Sequence, residues 1–318
     1  MLIVQKFGGS SLAGAERLRR AAAIISDRAM AGNDVVVVVS ARGDTTDELL
    51  SDAKRIIDCP KARELDALLS TGETGSAAMM AMQLEAMGHN SVSLSGVQAG
   101  IRTDNVHGSA RILDIDTGRI LLELGAGRLV IVAGFQGVQE NGDTTTLGRG
   151  GSDTTAVELA AALGADRCEI YSDVDGIYTA DPRLVTGAMR LEHIDYSDML
   201  ALALHGSQVL HSRSVEAAMR SGVRVHLLSS FTRHEGTVMG AFHDRPGLCG
   251  VTRDKALSTV SIIGRDAGAN TLAEAVGVLA HSDIIVTSTE LFDGGCSIRV
   301  SPDKLLPTLE LTHRRFFR

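Results

Sequence analysis

Short, fully apolar runs alternate with longer amphipathic stretches through the first two-thirds of the chain. The apolar runs predict buried strands at residues 2–4, 35–39, 129–133, 168–171 and 223–228. The amphipathic stretches predict helices at residues 15–31, 76–87 and 154–163. This alternation predicts an α/β domain, residues 1–240, with a parallel sheet covered by helices on both faces.

The pattern changes after residue 240. Residues 241–250 carry two glycines and a proline, which is typical of a linker. Strands are then predicted at residues 258–263, 284–288 and 296–300, and helices at 270–279 and 302–317. Residues 241–318 are therefore predicted to form a small α+β unit.

Composition excludes several classes of function. The chain of 318 residues has a formal net charge of -8 and no basic cluster interleaved with aromatic residues, which disfavours nucleic acid as a partner. It has no cationic start followed by an apolar core, and no apolar run long enough to span a membrane, so a cytoplasmic protein is expected. Its four cysteines are widely spaced, which predicts neither a metal site nor a disulfide framework.

A lysine and two glycines follow the first predicted strand. The sequence KFGGSS places Lys6 beside Gly8, Gly9 and Ser10, just before a helix. Glycines let the backbone approach a ligand, and the first N–H groups of a helix bind anions, so the segment predicts a phosphate site. A simple tight turn with a surface lysine is the alternative. Neither the P-loop nor the GxGxxG spacing is present.

Hydroxyl side chains follow the second strand. Ser40, Thr45 and Thr46 come at its carboxyl end, where open α/β sheets bind ligands. A polar substrate is one interpretation of these residues. The alternative is that Thr45 or Thr46 caps the next helix.

Two further segments carry chemistry. Glycines surround Arg149 before a helix that begins with Ser152 and Asp153. An arginine can hold a carboxylate through two hydrogen bonds, and an aspartate could orient a lysine or a metal ion. Helix capping would explain Ser152 or Asp153 but not the glycines. Downstream, residues 169–183 predict a nucleotide pocket, and the absence of a preceding helix argues against a calcium loop.

Taken together, these segments closely resemble the aspartate kinases of the amino-acid kinase superfamily. The resemblance spans residues 1–240 and rests on seven motifs in the family's order: KFGGSS, VVSARGDTTDEL, LLSTGE, GVQAGIRTD, AGFQG, TTLGRGGSDTTAVELAAALGAD and EIYSDVDGIYTADPR. It implies a three-layer αβα amino-acid kinase fold, ATP with Mg2+ as the phosphoryl donor, and conversion of L-aspartate into 4-phospho-L-aspartate.

The resemblance also implies roles for individual residues. Lys6 would stabilise charge on the transferred phosphoryl group, and Asp153 would organise the site. Glu73 would hold the substrate ammonium and Arg149 its α-carboxylate. The rest of the aspartate pocket would be lined by Ser40, Thr45, Phe135 and Ser152. The nucleotide would be contacted by Gly8, Gly9, Ser10, Ser172, Asp173, Tyr178, Arg183 and Gln208.

The chain departs from the family pattern at three places. One is GETGS at residues 72–76, where longer side chains commonly follow the glutamate, and the other two change the expected function. Gln208 stands where the family has a lysine that reaches the nucleotide phosphates, and losing such a charged donor could cost about 100-fold in rate. A kinase-derived regulatory or scaffold protein is therefore an alternative function, and a sibling kinase for another small acid is a second. In addition, residues 241–318 resemble only one of the family's two ACT modules. This predicts weak or absent feedback inhibition by lysine or threonine, and a homodimer formed through the ACT-like domain.

Overall fold

The computed structural model describes residues 1–242 and 247–317 of the chain, so residues 243–246 of the predicted linker lie outside the described residues. The chain forms two compact units. The first consists of Met1–Asp175 and Arg220–His234, and the second of Gly176–Met219 and Glu235–Arg318. The division into domains at residue 240 stays a prediction.

The strands are, in chain order, β1 Leu2–Phe7, β2 Asp34–Val39, β3 Ser91–Leu94, β4 Ile101–Thr103, β5 Ile112–Ile115, β6 Leu129–Ala133, β7 Gln136–Val138, β8 Thr144–Thr146, β9 Arg167–Ser172, β10 His193–Asp195, β11 Val225–Ser229, β12 Thr237–Gly240, β13 Gly250–Asp254, β14 Thr259–Ile263, β15 Ser288–Phe292 and β16 Gly295–Arg299. The α-helices are α1 Gly9–Leu12, α2 Gly14–Met30, α3 Thr45–Ile56, α4 Ala62–Glu85, α5 Gly118–Gly125, α6 Gly151–Leu163, α7 Tyr196–Leu204, α8 Ser212–Ser221, α9 Ala269–Ala280 and α10 Leu305–Phe316.

A parallel sheet is the centre of the first unit. Its strands lie in the order β11-β9-β1-β2-β6-β3, and every neighbouring pair is parallel. All five valines of β2 are fully buried, as expected for a strand covered on both faces. The predicted parallel α/β architecture is therefore confirmed.

Helices cover both faces of this sheet. Val35, Val37 and Val39 pack with residues of α2 and α4 in one hydrophobic core. Because side chains alternate along a strand, the intervening positions face the opposite side, where α6 packs on β1, β2 and β9. The first unit therefore has the predicted three-layer αβα arrangement.

Sequence periodicity misplaced one helix and missed one sheet of the first unit. Helix α4 begins at Ala62, well before the start predicted at residue 76, so the LLSTGE motif lies inside the helix. Gly72 interrupts the helical pattern of the sequence. A Cβ at this position would lie 3.0 Å from the Cβ of Ala41, so the glycine allows α4 to pack closely against Ala41. Strands β5-β4-β7-β8 form a small second sheet of three- and four-residue strands, too short to show a periodic pattern.

The second unit contains a four-stranded antiparallel sheet in the order β13-β14-β16-β15. Its buried side chains form one core with residues of α9 and α10, which agrees with the predicted small α+β unit of the ACT type. The strand predicted at residues 284–288 is wrong, because β15 occupies Ser288–Phe292. The turn at Asp293 and Gly294 sets this register by pairing Phe292 with Gly295. The unit also contains the parallel pair of β10 and β12.

Within residues 1–242 and 247–317, no helix combines the length and the apolar character that a membrane crossing requires.

Candidate active site at the carboxyl edge of the parallel sheet

The strand order brings predicted site residues of the first unit together at the carboxyl ends of the parallel strands. Lys6 lies on β1, and Gly8 to Ser10 follow that strand. Strands β2 and β6, on one side of β1, are followed by Ser40 and Phe135, whereas β9, on the other side, ends at Ser172. The residues predicted for aspartate and those predicted for the nucleotide therefore flank the strand that carries Lys6.

Lys6 and Asp153 form a nearly buried ion pair. The Nζ atom of Lys6 lies 2.6 Å from Oδ1 of Asp153, and their side chains are only 9% and 14% exposed. Asp153 stands in the first turn of α6, where the helix dipole favours a negative charge. The pair fixes a lysine cation at the sheet edge, where it can stabilise negative charge that develops on a substrate.

Gly9 permits a close approach between two loops. A Cβ on Gly9 would lie 2.6 Å from the carbonyl oxygen of Ala41, and the N–H of Gly43 donates to the Gly9 carbonyl at 3.0 Å. A Cβ on Gly8 would lie 3.5 Å from the amine of Lys6. The glycines therefore pack the turn after β1 against the loop after β2 and against the lysine.

Glu73 is a buried carboxyl group with one unused oxygen. Its Oε1 accepts a hydrogen bond from the N–H of Ala41 at 3.0 Å, whereas Oε2 has no partner among the described residues. Burial raises the pKa of Glu73 from 4.5 to about 7, although the Ala41 hydrogen bond opposes this shift. A buried acceptor without a donor suits an incoming ammonium group.

The loop after β2 orders Ser40 and Thr45. The N–H of Ser40 donates to the carbonyl of Phe7 at 3.1 Å. The hydroxyl of Thr45 donates to the carbonyl of Arg42 at 2.7 Å. Helix α3 begins at Thr45, its N-cap is Asp44, and no side chain caps it. The interpretation of Thr45 or Thr46 as a capping residue is therefore wrong.

Phe135 adopts a left-handed backbone conformation, with φ of 68°. Non-glycine residues rarely adopt this conformation, and it persists only where the surroundings hold it. Here the Phe135 N–H donates to the hydroxyl of Thr155 at 3.1 Å, and its carbonyl accepts from the N–H of Leu147 at 2.8 Å. Such strain at the end of β6 is common in binding sites.

The glycines around Arg149 shape the start of α6. Gly148 and Gly150 both have positive φ, 76° and 70°, and Gly150 is the N-cap residue. Capping by Ser152 or Asp153 is therefore wrong: Ser152 is buried inside the helix and Asp153 pairs with Lys6. Arg149 is exposed, and within the described ranges no carboxylate forms an ion pair with it. Its guanidinium is thus available for a ligand carboxylate.

The residues predicted for the nucleotide divide between the two units. In the first unit, the N–H of Val174 donates to the hydroxyl of Ser172 at 3.3 Å, and Asp173 is exposed. The other three predicted residues, Tyr178, Arg183 and Gln208, belong to the second unit.

Within the second unit, the guanidinium of Arg183 pairs with both oxygens of Asp181, at 3.0 Å and 2.9 Å. Tyr178 forms a backbone bridge with Arg190. Gln208 is exposed in the segment between α7 and α8.

Sequence reasoning missed a buried network centred on Glu169. Its Oε2 accepts from the side-chain amide of Gln5 and the hydroxyl of Tyr171, both at 2.9 Å, and its Oε1 lies 2.8 Å from the guanidinium of Arg28. Burial and the negative charge of Glu169 raise the pKa of Tyr171. The signal available in the sequence was the glutamate within the apolar run of β9. The network ties β1, β9 and α2 together beneath the site.

Comparison with known proteins assigns the chain to a family. A family model described as the amino acid kinase family matches residues 1–229. The chain therefore belongs to the amino acid kinase family.

Aspartokinases are among its relatives within the family. The aspartokinase of Geobacillus stearothermophilus is 45% identical over 98% of this chain and 78% of its own length. That of Corynebacterium glutamicum is 50% identical over 89% of this chain and 69% of its own length. That of Mycobacterium tuberculosis is 52% identical over 83% of this chain, but the match spans only 64% of the mycobacterial protein.

Solved structures agree on the fold. Aspartokinase III of E. coli, in complex with aspartate and ADP, superimposes with a TM-score of 0.84 over the full length of both chains at 22% identity. Aspartate kinase from Synechocystis has a TM-score of 0.70 at 29% identity, covering 99% of this chain and 69% of its own.

Proposed function

We propose that this protein transfers the γ-phosphoryl group of ATP to the side-chain carboxylate of L-aspartate, forming 4-phospho-L-aspartate and ADP. The observation that carries the proposal is the nearly buried ion pair between Lys6 on β1 and Asp153 in the first turn of α6. Strand β1 lies between the strands that lead to the two groups of predicted ligand-binding residues. Membership of the amino acid kinase family and the aspartokinase relatives support it.

The charges at the substrate end suit an amino acid with two carboxylates. The unused oxygen of Glu73 would accept from the ammonium group, and Arg149 would hold the α-carboxylate. The side-chain carboxylate would then lie towards Lys6. Ser40, Thr45, Phe135 and Ser152 would line this pocket.

The donor end would use the turn after β1 and the loop after β9. Main-chain N–H groups of Gly9 and Ser10 would face phosphate oxygens, with Ser172 and Asp173 beside the nucleotide. The N–H of Gly8 donates to the carbonyl of Tyr171 at 3.2 Å, so Gly8 would contact the nucleotide through its Cα without donating to it. Mg2+ would arrive on the ATP phosphates and offset their charge, since this ion takes most of its ligands from phosphates and water in kinases. Among the described residues, no group of three or more His, Cys, Asp or Glu side chains could hold a metal ion by itself. Roles for Tyr178, Arg183 and Gln208 remain predictions from the resemblance.

The chemistry then requires positioning and charge stabilisation. A carboxylate oxygen of aspartate attacks the γ-phosphorus, the bond to the β–γ bridging oxygen breaks, and ADP leaves with those electrons. Lys6 would stabilise negative charge on the transferred group, and Asp153 would keep its ammonium in place. No covalent enzyme intermediate is required.

The test measures ADP release with Mg-ATP, with and without L-aspartate, in the wild type and in Gln208→Lys. We expect aspartate-dependent turnover in the wild type and faster turnover in Gln208→Lys. Ser207→Lys, which adds the same charge one residue away, should not accelerate turnover. Turnover that is independent of aspartate would overturn the proposal, and turnover with a different acid would indicate a sibling kinase.

A second candidate function follows from Gln208 itself. Because the side chain at this position is uncharged, an impaired kinase that serves as a regulatory or scaffold protein is the alternative. This alternative would be supported if the wild type shows no turnover and Gln208→Lys shows aspartate-dependent turnover.

A further inference from the structure

Residues 230–234, here named the brace, follow β11 at the carboxyl edge of the parallel sheet and touch both loops proposed to face the nucleotide. The N–H of Ser230 donates to the carbonyl of Ser172 at 2.9 Å. Its hydroxyl donates to the hydroxyl of Ser11 at 2.6 Å, and both serines are buried. One residue of the brace therefore connects the end of β9 with α1, which follows β1.

The aromatic ring of Phe231, in the brace, contacts two arginines of α2. The guanidinium carbons of Arg17 and Arg20 lie 5.3 Å and 5.5 Å from the ring centre of Phe231. Arg17 also donates to the carbonyl of Ser10 at 2.8 Å. Because a guanidinium is attracted to the face of an aromatic ring, Phe231 restricts the side chain that fixes the backbone of the turn after β1.

The far end of the brace contacts the loop after β9. The Nδ1 atom of His234 lies 2.6 Å from Oδ2 of Asp175. Ser230 and His234 therefore hold that loop at Ser172 and at Asp175. Nothing in the sequence motifs assigned a role to the brace, because the residues that it contacts in α1, α2 and the loop after β9 are far away in the chain.

We propose that Phe231 and Ser230 are positioning residues that fix the spacing of the turn after β1 and the loop after β9, and thereby set the affinity for the nucleoside phosphate. This inference rests on the proposed function, since it takes these two loops as the ATP side of the site. Neither residue touches the reacting atoms. Loss of the brace should therefore weaken nucleotide binding selectively and leave the aspartate side unaffected.

The test replaces Phe231 by Leu, which keeps an apolar side chain but removes the aromatic face. We expect the KM for ATP and the Kd for ADP, measured by calorimetry, to rise roughly fivefold to tenfold, because two guanidinium–ring contacts are lost. The KM for aspartate and the melting temperature should change little. Phe231→Tyr keeps the ring and should restore wild-type values.

A matched control exists in the second unit, where Arg315 lies over the ring of Phe316 at 5.6 Å. Phe316→Leu removes the same type of contact and should leave the KM for ATP unchanged. The brace proposal fails if Phe231→Leu binds ADP like the wild type, or if it raises both KM values equally while lowering the melting temperature. If the wild type itself does not bind ADP, the proposed function fails first and the brace inference fails with it.

Discussion

A lysine inside a sheet is costly unless a charge of opposite sign accompanies it. Lys6 is 7% exposed, and the carboxylate of Asp153 at 2.6 Å compensates its charge. Removing one partner of such a pair leaves the other buried and uncompensated, which destabilises a protein by about 3–5 kcal/mol. A test of Lys6 must therefore separate catalysis from stability.

Lys6→Met should reduce kcat by about 100-fold or more, because the transferred phosphoryl group loses a positioned cation. Lys54→Met, which changes an exposed lysine of α3, should leave kcat unchanged. The double variant Lys6→Met with Asp153→Asn should recover stability in urea denaturation but no activity. A loss of less than tenfold in kcat for Lys6→Met would contradict the role given to Lys6.

The raised pKa of Glu73 predicts that kcat/KM for aspartate depends on pH. Its pKa is raised to about 7 by burial, so the free enzyme carries the carboxylate above that pH and loses it as the pH falls. Because an ammonium group needs the ionised form, kcat/KM for aspartate should fall as the pH drops through about 7. The profile is checked by initial rates between pH 5.5 and about 8.5.

The same group makes a prediction about stability. A carboxyl group whose pKa is higher in the folded than in the unfolded state binds more protons when folded, so its stabilising contribution is lost as the pH rises from 4.5 to about 7. Glu73→Gln should therefore be more stable than the wild type at pH 8, by up to roughly 3 kcal/mol. It should also be inactive with aspartate. Equal free energies of unfolding for the wild type and Glu73→Gln at pH 8 would indicate that burial of the Glu73 carboxylate does not destabilise the folded protein.

At the scale of single elements, glycines decide how the turn after β1 packs. In Gly9→Ala, the added Cβ would lie 2.6 Å from the Ala41 carbonyl, and backbone atoms cannot yield without moving a loop. We expect a loss of about 1–3 kcal/mol in the free energy of unfolding, together with a higher KM for ATP. Denaturation measures the free energy of unfolding, and steady-state kinetics measures the KM for ATP.

Gly75→Ala is the control for that substitution. Gly75 lies inside α4, and a Cβ there would meet no atom within 4 Å. Alanine is the better helix former, so this variant should gain about 0.5–1 kcal/mol in stability. If both variants lose stability equally, the contact with Ala41 is not the cause.

At the scale of the molecule, the antiparallel sheet of the second unit bears on how copies of the chain could assemble. Residues 241–318 resemble one ACT module, and their antiparallel sheet has the exposed strand β15 at its edge. Exposed edges can pair with another chain, which is the physical basis of the homodimer prediction. The dimer remains a prediction.

Local features of the fold could be read from the sequence because they depend on neighbouring residues. The valines of β2, the glycine turn after β1 and the start of α6 near Gly150 all show in side-chain periodicity and turn chemistry. Strand β15 was misplaced because the apolar run at residues 284–286 outweighed the turn at Asp293 and Gly294, whereas β16 was placed within one residue. Ile285 of that run is in fact 81% exposed.

By itself, the sequence determined the kind of sheet, the glycine-bearing loops and the residue types that the site could use. Only the tertiary structure decided which of them meet. Asp153 reaches Lys6 because α6 packs on β1, and Glu73 lacks a donor for one oxygen because α4 buries it beside Ala41. Periodicity reports burial along one element. Strand order, register and the contacts of loops depend on residues far apart in the chain, which no local pattern encodes.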